Sequence, residues 1–106
     1  MTSEKESKIE EIRILEANLQ GILAQRQGLQ MEINEIDNAL SELRDYKDDA
    51  YKVVSGIMIK TKKEDLTKEL EEKKRMVEGK ISAIEKQEKV LSKRAAELQG
   101  KIFDKE

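Results

Sequence analysis

The chain has 106 residues, 42% of them charged and 3% aromatic, with no His, Cys, Trp or Pro and a formal net charge of -2. Without His or Cys, the commonest general base, the thiol nucleophile and every Cys-based metal site are excluded, and no disulfide framework can form. The slightly acidic balance gives no general attraction to nucleic acid or to an anionic membrane surface.

Length alone points to one domain, and the paucity of aromatics argues against a globular core. A mixture rich in Glu, Lys, Leu and Ile belongs to long helices packed along a narrow stripe. Disorder is the competing reading of so charged a chain, and a sustained apolar periodicity argues against it. Ser3-x-x-Glu6 has the form of a capping box that opens a first helix. From there apolar residues recur three and four apart at Ile12, Leu15, Leu19, Ile22, Leu29, Ile33, Ile36, Leu40 and Leu43. The mean spacing of about 3.5 residues keeps one seam of a helix facing a partner.

The heptad stops at Asp45-Tyr46-Lys47-Asp48-Asp49-Ala50. Asp45, Asp48 and Asp49 could attract a cation, but an acid-rich turn is the simpler reading. Next comes Tyr51-Lys52-Val53-Val54-Ser55-Gly56-Ile57-Met58-Ile59-Lys60-Thr61, in which strand-favouring residues flank a Ser-Gly turn signal. Tyr51, Val53, Val54, Gly56, Ile57, Met58 and Ile59 therefore form a small β-hairpin. A lone hairpin is marginal in water, and its free edges invite strands from other chains. This segment argues for an oligomer.

Thr61-x-x-Glu64 repeats the capping box for a second helix, whose seam runs through Leu70, Val77, Ile81, Ile84, Leu91, Ala95, Leu98 and Ile102. The expected fold is mostly α: a long antiparallel α-helical coiled-coil hairpin with one small β-hairpin at the bend. The single domain spans 1–106, with helix 1 over about 4–44, the bend over 45–61 and helix 2 over about 62–105.

Charges within the seam bear on how the helices pair. With Ile12 at position a, Arg26 also falls at a; with Ile81 at a, so do Lys74 and Glu88. Polar a residues can simply snorkel outward. Alternatively Arg26 and Glu88 form a pair within one molecule, since the two plausible antiparallel registers set Arg26 opposite Ile84 or Leu91, within a layer of Glu88. A parallel homodimer would instead stack like charges in a partly dry seam. Glu11 and Glu32 at g on the first helix also oppose Lys73, Lys80 and Arg94 at g on the second, so the intramolecular hairpin is favoured. Gly21, Gly28, Gly79 and Gly100 fall at outward positions. They read as tolerated drift more readily than as softening of the helices.

No phosphate-binding loop or catalytic cluster appears, so no enzyme activity and no cofactor or metal is expected. Apolar runs are no longer than Ile57–Ile59, too short to span a bilayer, and Met1–Glu6 lacks a signal-peptide core. A cytoplasmic protein is expected. At the open end Ile9, Ile12, Leu15, Leu98, Ile102 and Phe103 either seal the coil or form a patch able to hold an unfolded chain, with Ile14 beside them.

The segment Asp48-Asp49-Ala50-Tyr51-Lys52-Val53-Val54-Ser55-Gly56-Ile57-Met58-Ile59-Lys60, followed by Lys63-Glu64-Asp65-Leu66, resembles the bend of the prefoldin beta subunit family in its archaeal form. Gln25-Arg26-Gln27 and Ile84-Glu85-Lys86-Gln87-Glu88 are also similar, and the likeness covers about residues 8–103. The resemblance implies a hexamer of two alpha-type and four beta-type subunits whose hairpins build β-barrels. It further implies ATP-independent capture of non-native client proteins at the coiled-coil tips and their delivery to a group II chaperonin. The hairpin residues are then assembly contacts, and the six open-end residues are client contacts. A coiled-coil adaptor that docks one folded partner is the competing function.

Overall fold

A computed structural model describes residues 3–104, with side chains described for residues 4–102. The order of elements is α1 (Ser3–Asp45), β1 (Ala50–Val54), β2 (Ile57–Thr61) and α2 (Lys63–Asp104). The expected fold class is therefore found: two long helices with one two-stranded antiparallel hairpin between them. With no proline in the chain, every residue of α1 after its first turn can donate to the helical ladder. Glu4 and Glu6 in the first turn of α1, and Glu64 and Asp65 in that of α2, oppose the positive end of each helix dipole.

The chain divides into two compact units. One contains α1 up to Gly28 and α2 from Ile81 onward; the other runs from Leu29 to Lys80. In the first, Leu15, Ala95 and Leu98 form the core, and Ile12 and Leu91 pack against it half-buried. All five are seam positions, so an apolar stripe repeated every 3.5 residues has become a dry helix–helix contact. Leu98 is the most enclosed, at 2% exposure; burying such a side chain is worth roughly 1.5–3 kcal/mol. In the second unit Ile33, Ile36, Leu43, Ala50 and Val77 are buried. Ala50 belongs to β1, so the hairpin is rooted in this core by its first residue.

One expectation about the helix ends is corrected. Thr61 does not cap α2: it is the last residue of β2, and its hydroxyl donates to the Lys62 carbonyl at 3.5 Å. The turn into the helix is closed instead by the Leu66 amide bonding to Lys62 O at 3.0 Å, because strand pairing has already claimed Thr61. The Ser3 side chain, expected to cap α1, lies outside the described side chains. At the other end of α1, Lys63 Nζ donates to Arg44 O at 3.2 Å and Tyr46 O at 2.8 Å. A cation from the start of α2 thus satisfies carbonyls that the end of α1 leaves unpaired.

Candidate protein-interaction surfaces

The hairpin closes on Ser55 and Gly56, both with positive φ (50° and 78°). Two consecutive left-handed residues define the turn whose twist suits a tight two-residue hairpin. Gly56 takes that conformation freely, and Ser55 is a small residue that tolerates it. The turn fixes the register: Tyr51 opposes Lys60, Lys52 opposes Ile59, Val53 opposes Met58 and Val54 opposes Ile57.

Directly opposed residues lie on the same side of a sheet, so the register sorts the hairpin into two faces. One face carries Ala50, Lys52 and Val54 with Ile57, Ile59 and Thr61. It is tied to α2 by Lys52 Nζ, 3.1 Å from Glu69 Oε2, and by the burial of Ala50. The other face carries Tyr51 and Val53 with Met58 and Lys60, and its apolar members are 60–69% exposed. Lys60 leans on Asp49 at 3.4 Å, which orders the rim of this face. Val54, Ile57 and Ile59 are also exposed. All seven hairpin residues singled out in the sequence thus lie together on one short ribbon, and its outer edges are unpaired among the described residues.

At the other candidate surface the structure separates the named residues. Leu15 and Leu98 are core, not surface, because the seam draws them together. Ile12 and Ile102 are half-buried, while Ile9 is exposed and so is its neighbour Ile14. Phe103 lies outside the described side chains. Beside this core, Arg94 Nη2 meets Glu11 Oε1 at 3.2 Å, joining the two g positions.

Arg26 Nε lies 3.5 Å from Glu88 Oε2, with the side chains 35% and 31% exposed. Glu88 Oε2 is shut off from solvent and accepts no hydrogen bond, so the contact is ionic and its geometry is poor. In the other unit Lys73 reaches Glu32 at 3.7 Å, and Lys74 reaches Asp37 at 2.7 Å. The hydrogen bond from Lys74 to Asp37, with the charge of that carboxylate, raises the Lys74 ammonium above its ordinary range. Sequence reasoning placed Lys74 in the seam but missed its partner, and it missed Lys52–Glu69 and the Lys63 cap. These contacts depend on how the bend folds back, and only the repeated charge at seam positions hinted at them.

Among the described residues no group of three or more His, Cys, Asp or Glu side chains is placed to hold a metal ion. None of the described helices is long and apolar enough to cross a membrane. Among the described residues the hairpin gathers exposed apolar surface in one place.

Comparison with known proteins agrees with this geometry. The family model described as "Prefoldin subunit" matches residues 6–105. The chain is 36% identical over 96 residues to a protein named prefoldin subunit beta from Archaeoglobus fulgidus, covering 89% of this chain and 83% of that one. It is 38% identical over 86 residues to the prefoldin subunit beta of Thermococcus kodakarensis, covering 79% and 74% of the two chains. The crystal structure of the prefoldin beta subunit from Thermococcus strain KS-1 superposes with a TM-score of 0.89 at 29% identity, over 94% of this chain and 90% of that one. The exposed ribbon between two long helices is thus the mark of a known lineage, and the chain belongs to the prefoldin beta subunit family of molecular chaperones.

Proposed function

We propose that this chain is one of four beta-type subunits that join two alpha-type subunits in a hexamer. The assembly holds non-native proteins without nucleotide and passes them to a group II chaperonin in the cytoplasm. Beta-type prefoldin subunits form complexes with other prefoldin subunits; the stoichiometry, the clients and the chaperonin are the proposed part.

The observation that carries the reading is the hairpin, with Tyr51, Val53 and Met58 side by side on an uncovered face. A free strand edge pairs readily with another strand, and an apolar face supplies the area that makes such pairing persist. Client contact is assigned to the open end. Ile9, Ile12 and Ile102 act from the surface, Leu15 and Leu98 join them when the helix ends part, and Phe103 is assigned with them from the sequence alone. Each apolar group contributes at most roughly 1.5–3 kcal/mol, so retention depends on several arms acting together.

The test is light scattering of a chemically unfolded, aggregating protein, with this chain alone and then with an alpha-type partner, in the absence of nucleotide. Mass measurement on the same samples reports assembly. Suppression of scattering that grows with hexamer formation is the expected result. A fixed one-to-one complex with a folded protein, and no effect on the unfolded one, would replace the chaperone reading with the adaptor.

A further inference from the structure

With no Cys on the chain, the thioethers of its four methionines are the only sulfur that an oxidant can attack. Met31, Met58 and Met76 are exposed to nearly the same degree, at 64%, 69% and 65%, so a small oxidant reaches all three alike. What separates them is their setting. Met31 belongs to α1 and Met76 to α2. In the frames with Ile12 and Ile81 at position a they fall at f and c, on the outward side of each helix. A sulfoxide formed at either place stays in water.

Met58 stands instead on the uncovered face of the hairpin, directly opposite Val53 and one pair away from Tyr51 and Lys60. On the proposed assembly this face loses its water to strands from other subunits. Oxidation turns a flexible apolar side chain into a polar one that carries an acceptor oxygen. Val53 offers that oxygen no side-chain donor, and Lys60 is already drawn to Asp49 at 3.4 Å. The Tyr51 hydroxyl is the one other side-chain donor on the face. An oxygen that water solvates freely on the open ribbon is therefore poorly satisfied once the ribbon is covered.

We propose that Met58 is a methionine-oxidation site that governs assembly, permitting pairing of the hairpin as the thioether and opposing it as the sulfoxide. The proposal rests on the reading of the hairpin as the assembly contact and adds a chemical control to it. In the forward step a sulfur lone pair attacks an oxygen of hydrogen peroxide. The S–O bond forms as the O–O bond breaks, the sulfur is oxidised, and the other oxygen leaves as water. A methionine sulfoxide reductase reverses the change with electrons from two thiols, which become a disulfide while the sulfoxide oxygen leaves as water. Because assembly covers Met58, the free subunit is the form that oxidation marks.

The test exposes the free subunit and the assembled protein to hydrogen peroxide and locates sulfoxide by peptide mass spectrometry. Each free chain is then titrated against an alpha-type partner, with mass measurement as the readout. Sulfoxide is expected at all three positions in the free chain, but only at Met31 and Met76 in the assembly. The oxidised wild type should assemble about tenfold more weakly or worse, and reductase with dithiothreitol should restore it. Met58→Leu should keep its affinity after peroxide, whereas Met31→Leu/Met76→Leu should lose it as the wild type does. Undiminished assembly of the oxidised wild type, equal loss in oxidised Met58→Leu, or equal oxidation of Met58 in free and assembled protein would each overturn the proposal. If Met58→Leu assembles poorly before treatment, Met31→Leu/Met76→Leu decides. Its assembly must then fall in step with sulfoxide at Met58, and independence of the two refutes the switch. An untreated wild type that joins no alpha-type partner refutes the assembly reading itself; one that assembles equally well before and after oxidation refutes only the control by Met58.

Discussion

Arg26 and Glu88 face each other across the first unit, yet their replacement should not be symmetrical. At 3.5 Å and an effective dielectric constant of about 20, the attraction is about 5 kcal/mol before solvation is counted. Desolvation of both groups offsets most of it, and side chains about one-third exposed are partly screened. Glu88 Oε2 is sealed from water without a hydrogen bond, whereas the long Arg26 stem can carry its head group outward. Arg26→Leu therefore strands a carboxylate and should cost about 1–3 kcal/mol. Glu88→Leu should be neutral, or stabilise by about 1 kcal/mol through apolar burial. The double replacement should recover most of the Arg26→Leu loss, a coupling of about 1 kcal/mol. In a domain of this size that shifts the melting temperature by roughly 4–8 °C. Urea unfolding followed by far-ultraviolet circular dichroism, at two protein concentrations, measures all four species. If Glu88→Leu proved as damaging as Arg26→Leu, or coupling fell below about 0.3 kcal/mol, the argument from the sealed oxygen would fail.

Three further outcomes are expected. Gly56→Val forces a branched side chain into a φ of 78° and should break the hairpin, abolishing assembly by mass measurement while helix content stays near wild type. Gly28→Ala and Gly79→Ala, where an added methyl meets nothing, should each raise stability by up to about 1 kcal/mol in urea titration; destabilisation at either would show a contact the geometry lacks. Lys74 has its pKa raised by Asp37, so its contribution is present at neutral pH and is lost as pH climbs past the ordinary lysine value. Lys74→Met should accordingly flatten the fall in melting temperature on the alkaline side, and an unchanged alkaline slope would count against the pairing.

Much of this molecule was legible from its pattern. Heptads from Ile12 to Ile102 marked the buried stripe because a helix seam repeats, and opposite charges at Glu11 and Arg94 marked its direction. Tyr51 to Ile59 announced a ribbon because branched residues flanked a Ser-Gly pair. What escaped were consequences of closure in three dimensions. Leu15 and Leu98 carried two readings in the chain, as seam and as open-end patch, and only the pairing of the helices showed them to be core. Thr61 read as a cap because the motif was intact, but strand pairing took the residue first. Lys63 gave no local sign that it would reach back to Arg44 and Tyr46.

The uncovered hairpin face also has a bearing on supply. Tyr51, Val53 and Met58 give a newly made subunit the same kind of sticky surface that marks a misfolded protein. Until the proposed neighbours arrive, that surface stays open to water. On the proposed assembly, any subunit made in surplus over its partners keeps this face uncovered. On that proposal the ribbon ties the abundance of this subunit to that of the chains that would cover it.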